Sequence, residues 1–293
     1  MVSQQKKKGI LPIMDKRFVV FAYNFPHKKT QDFLLRMSLY GLRPALVLTS
    51  PPKKLDLPKS FLRDKYKNID LLYPEDMCRM MGVPCIEINH NDRSVPAILN
   101  QHEVEFGVIG GARILSPHIL KSLPMGIINH HPGLIPENRG LNAVKWAVKL
   151  SLPQGMTVHL IDRKIDRGSI IKKYIVPVYG TDSLKDINMR IYESQIWSLI
   201  MSLRFFDGPY AVTKLDCNTG YHPPADEKID NETLEKLSEY KAFWSIDKNG
   251  WRCRCHSKNL SIKGDDVLCL DCMAKYKIIE NREVGEILEV CLR

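Results

Sequence analysis

Long hydrophobic runs are missing from this sequence of 293 residues, and none approaches the roughly 18 apolar residues that a membrane-spanning helix needs. Residues 1–16 are basic, but their apolar part is too short for the core of a secretory signal, so we expect a loose lead-in. The chain also lacks internal repeats and low-complexity tracts. These absences argue against membrane-spanning and repeat architectures, and they predict a cytoplasmic globular protein.

Negative charge is scarce in the first part of the chain. The net charge is +10, and residues 1–60 alone carry twelve Lys or Arg against three Asp or Glu, a net charge of +9. Residues 225–293 carry twelve basic and fourteen acidic side chains, a net charge of −2. A cationic first lobe favours an anionic substrate or partner there, although a solvated lysine-rich surface would give the same count.

Cysteines number eight, and half of them lie in one short segment. That segment contains two closely spaced pairs, Cys253 with Cys255 and Cys269 with Cys272. The thirteen residues between the pairs include a Lys-Gly-Asp-Asp turn and predict a hairpin, so the four thiolates could surround one tetrahedral zinc ion. His256 could replace one of them, and reduced, unbound thiols are the alternative. Four protein ligands leave no open position, which predicts a structural zinc rather than a catalytic one.

Strand-like and helix-like patterns alternate from Arg17 to Phe206. Such alternation predicts an α/β fold with a doubly wound, mostly parallel sheet covered by helices on both faces, and its last two strands as antiparallel additions. Turn residues then dominate until a short helical pattern leads into the cysteines. The predicted order is a lead-in at 1–16, a catalytic domain at 17–208, a linker with a short helix at 209–240, and a small zinc-ribbon-like module at 241–293.

The segment INHHPG, residues 128–133, ends an apolar run with polar, hydrogen-bonding side chains. In open α/β sheets, ligands bind beyond the carboxyl ends of the strands, where this segment would lie. Asn129 could donate a hydrogen bond to a developing oxyanion, and a neutral His131 could accept a proton from an attacking amine. A nearby carboxylate would make the imidazole more basic, and Asp166 in RKIDRG is the candidate. Together the three side chains predict acyl transfer to an amine without a nucleophilic side chain.

Three segments in order carry a resemblance to a known family. They are GGARILSP at 110–117, INHHPGLIPENRGLNAVKWA at 128–147 and GMTVHLIDRKIDRGSII at 155–171. They resemble the 10-formyltetrahydrofolate-dependent formyltransferases, which include the glycinamide ribonucleotide, methionyl-tRNA and sugar N-formyltransferases. The pattern of that family is Asn-x-His-Pro, a Leu-x-Pro-x-x-Arg-Gly loop and a later Asp-x-Gly, and all three occur here in order. The resemblance implies a Rossmann-like formyltransferase fold with 10-formyltetrahydrofolate as co-substrate.

The resemblance also implies roles for individual residues. Asn129, His131 and Asp166 take the positions of the catalytic residues of the family. Thr157 and His159, in the strand that follows, would project toward the same site. The residues in the two loops that meet the pterin ring of the folate would be Arg113, Ile114, Leu115 and Ile165.

One departure from the family bears on the amine acceptor. In the family that this sequence resembles, enzymes that act on glycinamide ribonucleotide have a glycine-rich turn after the first strand, which holds the substrate phosphate. The corresponding segment here is AYNFPHKKT, which contains no glycine. Lys28 and Lys29 could instead meet an anion at the start of the first helix, or could simply be exposed lysines. An amino sugar on a nucleotide is therefore the expected acceptor. The alternatives are an aminoacyl-tRNA acceptor, or a non-catalytic, zinc-ribbon nucleic-acid-binding protein on a formyltransferase core.

Overall fold

The computed structural model describes residues 16–51, 56–62, 70–205, 220–281 and 285–291. The predicted lead-in therefore lies almost wholly outside the described residues, as does most of the first half of the predicted linker. Among the described residues, no helix is both long and apolar enough to cross a membrane.

Strands and helices alternate along most of the described chain. The strands are β1 (Phe18–Tyr23), β2 (Leu46–Ser50), β3 (Cys85–Glu87), β4 (Phe106–Ile109), β5 (Ile127–His131), β6 (Arg139–Gly140), β7 (Gly155–Leu160), β8 (Ile170–Ile175), β9 (Tyr221–His222), β10 (Leu260–Lys263), β11 (Asp266–Cys269), β12 (Lys275–Asn281) and β13 (Gly285–Val290). The helices are α1 (Lys28–Leu39), α2 (Pro74–Met81), α3 (Val95–Gln101), α4 (Pro117–Lys121), α5 (Ala143–Leu150), α6 (Leu184–Phe205), α7 (Glu227–Trp244) and α8 (Ile246–Asn249).

One large sheet has the strand order β10-β11-β12-β13-β8-β7-β5-β4-β1-β2-β3. From β3 to β5 the neighbours run parallel. The pairings of β5 with β7 and of β7 with β8 are antiparallel, as predicted for the last two strands. The predicted α/β fold with a mostly parallel central sheet is therefore confirmed for the region from β1 to β8.

Helices cover both faces of the parallel strands. Alternate side chains of β1 accordingly enter two different cores, one on each face of the sheet. Phe18 and Val20 share one buried cluster with Phe33 of α1 and with apolar residues of α6. Val19 and Phe21 enter a second cluster, which also holds residues of α3 and α4. A strand that buries both faces needs an unbroken apolar sequence, and FVVFAY provides it.

The C-terminal strands continue the same sheet. Strand β13 pairs antiparallel with β8 through Leu288 opposite Ile175 and Glu289 opposite Tyr174. The hairpin of β10 and β11 turns at residues 264–265, as the Lys-Gly-Asp-Asp sequence predicts. The cysteine-containing segment thus lies against the catalytic part of the chain, rather than forming a separate body.

Helix α7 is longer than the short helix expected before the cysteines. It begins at Glu227, because the side chain of Asp226 accepts a hydrogen bond from the Ile229 amide and caps the helix. Its buried Asp230 forms an ion pair with Lys145 of α5, 2.6 Å away. Much of the predicted linker is consequently ordered secondary structure packed on α5.

Candidate active site

The chain turns sharply after β5, and Thr157 of β7 holds that turn. The Thr157 hydroxyl donates to the Gly133 carbonyl at 2.8 Å and accepts from the Ile135 amide at 3.0 Å. A Cβ atom at Gly133 would lie 2.4 Å from the Asn138 carbonyl oxygen and 2.9 Å from His131 Nε2. Only glycine fits so close an approach, so HPG positions the loop that follows the histidine.

Both nitrogens of the His131 ring have defined neighbours. Nε2 lies 2.8 Å from the Asn138 carbonyl oxygen, which can only accept, so this nitrogen carries a hydrogen. Nδ1 faces Asp166 Oδ2 at 3.5 Å. The His131 side chain is only 4% exposed. In the neutral ring Nδ1 is then the nitrogen without a hydrogen, and it faces the Asp166 carboxyl group.

Asp166 reaches the histidine from the loop between β7 and β8. Its backbone is left-handed, with φ of +48°, a conformation that Asp tolerates better than most residues. The Gly140 amide donates to Asp166 Oδ2 at 3.0 Å, and Arg139 donates to the carbonyl of the neighbouring Ile165 at 3.2 Å. The Arg-Gly pair therefore ties the loop of Asp166 to the loop that follows His131.

Asn129 meets a second histidine across the sheet. Antiparallel pairing sets Asn129 opposite His159, and Asn129 Nδ2 lies 3.2 Å from His159 Nε2. His159 Nδ1 lies 3.2 Å from the Leu160 carbonyl oxygen and so donates to it, which leaves Nε2 to accept from the Asn129 amide. Within the described part of the chain, the second amide hydrogen of Asn129 has no acceptor.

His159 is buried and neutral at physiological pH. Burial lowers its pKa to about 4, although the nearby Asp166 acts in the opposite direction. Asp166 Oδ1 lies 3.6 Å from His159 Nε2, so the carboxylate stands between the two histidine rings. The structure therefore brings all three predicted catalytic residues together, with His159 and Thr157 beside them.

The two predicted substrate lysines differ from exposed surface lysines. Lys28 forms an ion pair with Asp32, one turn further along α1, and its Nζ lies 4.7 Å from the centre of the Tyr192 ring. Lys29 is partly buried and its Nζ donates to the His130 carbonyl at 3.3 Å. Burial lowers the pKa of Lys29 to about 8, and the Asp166 carboxylate partly opposes that shift. Lys29 thus points toward the catalytic strand, whereas Lys28 is held by its neighbours.

The predicted folate-binding residues fall into two groups by exposure. Ile114 is 66% exposed and Ile165 44% exposed, so both present apolar surface to solvent. Arg113 lies with its guanidinium carbon 5.7 Å from the centre of the Tyr23 ring. Leu115 is 4% exposed and packs in the second core, so its side chain is not available to a ligand.

An aromatic group after β1 was missed by the sequence reasoning. Tyr23 and Phe25 stack with ring centres 5.1 Å apart, and His27 meets the Tyr23 ring edge-on at 5.2 Å. Burial lowers the pKa of His27 to about 4, with Lys29 acting in the same direction, so this ring is neutral. Alternate aromatic residues in AYNFPH were the available signal.

The four predicted metal-ligating cysteines also come together. The sulfurs of Cys253, Cys255, Cys269 and Cys272 all lie within 4.8 Å of one another. His256 is not in this group, because its ring packs against Phe243 and Trp244.

The end of β5 and the loop between β7 and β8 thus bring an amide, an imidazole and a carboxylate together. Comparison with known proteins identifies the class. The family model described as formyl transferase matches residues 45–203, which is more than half of the chain. The chain therefore belongs to the formyl transferase family.

Individual relatives cover less of the chain. The trifunctional purine biosynthetic protein adenosine-3 of Chironomus tentans is 31% identical over 123 residues, which are 41% of this chain and 9% of that protein. A methionyl-tRNA formyltransferase of Akkermansia muciniphila is 31% identical over 113 residues, 37% of this chain and 36% of that protein. The chain thus spans between about a tenth and a third of the length of these relatives.

Solved structures of the family share the fold. Glycinamide ribonucleotide transformylase 1 from Geobacillus kaustophilus is similar with a TM-score of 0.51 and 20% identity, over 66% of this chain and 99% of that one.

Proposed function

We propose that this chain transfers a formyl group from 10-formyltetrahydrofolate to a primary amine. The observation that carries the proposal is the meeting of Asn129 and His131, both from β5, with Asp166 from the loop between β7 and β8. Membership of the formyl transferase family supports it.

The geometry gives each side chain a distinct part in the reaction. The amine attacks the formyl carbon, and the free amide hydrogen of Asn129 stabilises the oxyanion of the tetrahedral intermediate. His131 Nδ1 accepts a proton from the attacking nitrogen, and Asp166 stabilises the resulting imidazolium. The bond from carbon to N10 of the folate then breaks, and that nitrogen receives the proton.

His159 has a supporting part in this scheme. Because it is buried and neutral, it accepts one hydrogen bond from Asn129 and adds no charge. The amide is thereby held in one orientation before substrate arrives, which is how a hydrogen-bond donor contributes most to an oxyanion.

In this proposal the folate binds on the side of Ile114 and Ile165. Both side chains are apolar and exposed, which suits contact with a flat pterin ring. Arg113 lies in the same segment as Ile114, and its guanidinium group is close to the Tyr23 ring. The proposed folate side of the site is therefore next to the aromatic group that contains Tyr23. The backbone of Leu115, rather than its buried side chain, would complete the contact.

The acceptor in this proposal is an amino sugar carried on a nucleotide. The aromatic group of Tyr23, Phe25 and His27 stands where a glycine-rich turn would cradle a phosphate, and aromatic rings suit stacking on a sugar or a base. Lys29 supplies a positive charge between this group and His130. An anionic, ring-containing amine satisfies both features.

The test is a comparison of acceptors at fixed 10-formyltetrahydrofolate concentration. Nucleotide-linked amino sugars, glycinamide ribonucleotide and methionyl initiator tRNA would each be supplied, with tetrahydrofolate release and the mass of the formylated product as measurements. His131→Ala serves as the blank, and a reaction without acceptor measures hydrolysis. We expect His131-dependent product with a nucleotide-linked amino sugar.

Other outcomes are equally informative. Turnover with tRNA alone would assign the chain to aminoacyl-tRNA formylation, the alternative class of acceptor. Absence of folate binding together with salt-sensitive RNA binding would favour a non-catalytic nucleic-acid-binding protein.

A further inference from the structure

The distances among the four cysteine sulfurs match a metal site rather than disulfide bonds. Cys253 Sγ lies 3.4 Å from Cys272 Sγ, and Cys255 Sγ lies 3.7 Å from Cys269 Sγ. A disulfide needs about 2.05 Å between sulfurs. Four sulfurs at about 2.3 Å from a central zinc would stand roughly 3.8 Å apart, close to the spacing found here.

The Tyr276 hydroxyl lies 2.8 Å from Cys253 Sγ, where it can donate a hydrogen bond to a thiolate, the form of sulfur that binds metal. Four thiolates this close together would repel one another, and a cation at their centre would offset that repulsion.

We propose that Cys253, Cys255, Cys269 and Cys272 bind one zinc ion, and that this ion secures the loop following His131. Chain connectivity gives the metal this role. Leu134 leaves the turn after the histidine and is buried in the same cluster as Cys253, Cys269 and Tyr276.

Leu134 therefore connects the cysteine cluster with the loop that follows His131. Asn138, whose carbonyl accepts the hydrogen bond from His131, belongs to the same loop as Leu134. The zinc takes no part in the chemistry, since four thiolates fill its coordination sphere. Its effect on catalysis is positional.

The metal site is tested on the full chain with Cys255→Ser, Cys272→Ser as a double variant. Both thiols are exposed, so their replacement removes ligands without opening a cavity. We expect one zinc per wild-type chain by metal analysis, none in the double variant, and a melting temperature lower by about 10 °C or more. Cys291→Ser, which alters an exposed cysteine outside the group, should keep the metal and the melting temperature.

The positional effect rests on the proposed function and has its own measurement. The double variant should lose about tenfold in kcat while the acceptor KM changes little, because His131 is misplaced and the binding surface is intact. Amide hydrogen exchange should rise in residues 132–138, which can be measured without any activity.

Three results would overturn the inference. They are the absence of stoichiometric zinc from protein purified without chelator, equal zinc content in the double variant and wild type, and disulfide bonds in place of free thiols. If zinc is lost without any rise in exchange at residues 132–138, the metal does not secure the loop. If wild type itself transfers no formyl group, the metal analysis and exchange data still decide the site.

Discussion

Lys29 Nζ lies 3.3 Å from the carbonyl oxygen of His130, so a lysine from the first turn of α1 ends beside the catalytic strand. Its amine is also 5.2 Å from the centre of the Phe33 ring. Apolar surroundings disfavour the charged amine, and the pKa falls to about 8. Lys29 thus provides a positive charge on the proposed acceptor side of the site, and this charge is lost just above neutral pH.

The acceptor KM should therefore depend on pH through Lys29. Below pH 8 the amine is protonated and attracts an anionic acceptor, and as pH rises through about 8 the charge is lost and KM should rise. Lys29→Arg should give a nearly constant KM across pH 7 to 9, since arginine remains protonated at about pH 12 and below. Lys29→Met should show a raised KM throughout. The exposed Lys121→Met is the control, and an unchanged KM in Lys29→Met would remove the lysine from binding.

Asn129→Ala and His131→Ala should each lower kcat by about a hundredfold. The first removes a donor to the oxyanion, and the second removes the proton acceptor. Circular dichroism and melting curves should show folded protein in both cases. The matched controls are Asn100→Ala and His102→Ala at the end of α3, outside the catalytic group. Near-wild-type kcat in either catalytic variant would exclude that residue from the mechanism.

Asp166→Asn should lower kcat by roughly one to two orders of magnitude with little change in folate binding. The amide keeps the size of the side chain but loses the negative charge beside His131 and His159. Steady-state kinetics with both substrates varied would separate kcat from KM. Asp162→Asn, on the exposed part of the same loop, should behave as wild type. A larger effect at Asp162 than at Asp166 would contradict the assigned carboxylate.

Gly133→Ala should abolish most activity and destabilise the protein. Its Cβ would enter space held by the Asn138 carbonyl oxygen and by His131 Nε2, at 2.4 and 2.9 Å. Gly264→Ala is the control, because it introduces backbone strain without a clash. Gly264 has φ of +60°, but no described atom lies near its Cβ position. That variant should lose about 1 kcal/mol of stability and no kcat. Equal kcat in the two variants would show that the loop tolerates the methyl group.

The proposed catalytic residues could be predicted from the sequence because each lies in a short local motif. Asn129 and His131 end β5, Gly133 follows in the turn, and Asp166 lies in the loop after β7. Their contacts were less accessible, since the pairing of Asn129 with His159 depends on the register between β5 and β7. Register is decided by packing over the whole sheet, which no local pattern contains.

Three features of the structure could not be predicted from the sequence, each for a different reason. The start of α7 at Glu227 lies among turn-forming residues, and only the cap formed by Asp226 reveals it. The Lys29 side chain points toward His130 because of the way α1 packs against the sheet. From the sequence alone, a lysine at the start of a helix is expected to be solvated. The location of the C-terminal strands was missed because β13 finds its partner, β8, more than a hundred residues away.

The pairing of β13 with β8 has a consequence for how the chain is produced and handled. If residues 260–291 were removed, β8 would lose β13 as its neighbour, and the backbone at Tyr174 and Ile175 that pairs with β13 would become part of an exposed sheet edge, a template for joining other chains. In the intact protein the outermost strands of the sheet are β10, of four residues with Lys263 at its end, and β3, of three residues. Short, charged borders resist such pairing. A chain truncated after residue 259 should therefore aggregate, even though it keeps every proposed catalytic residue.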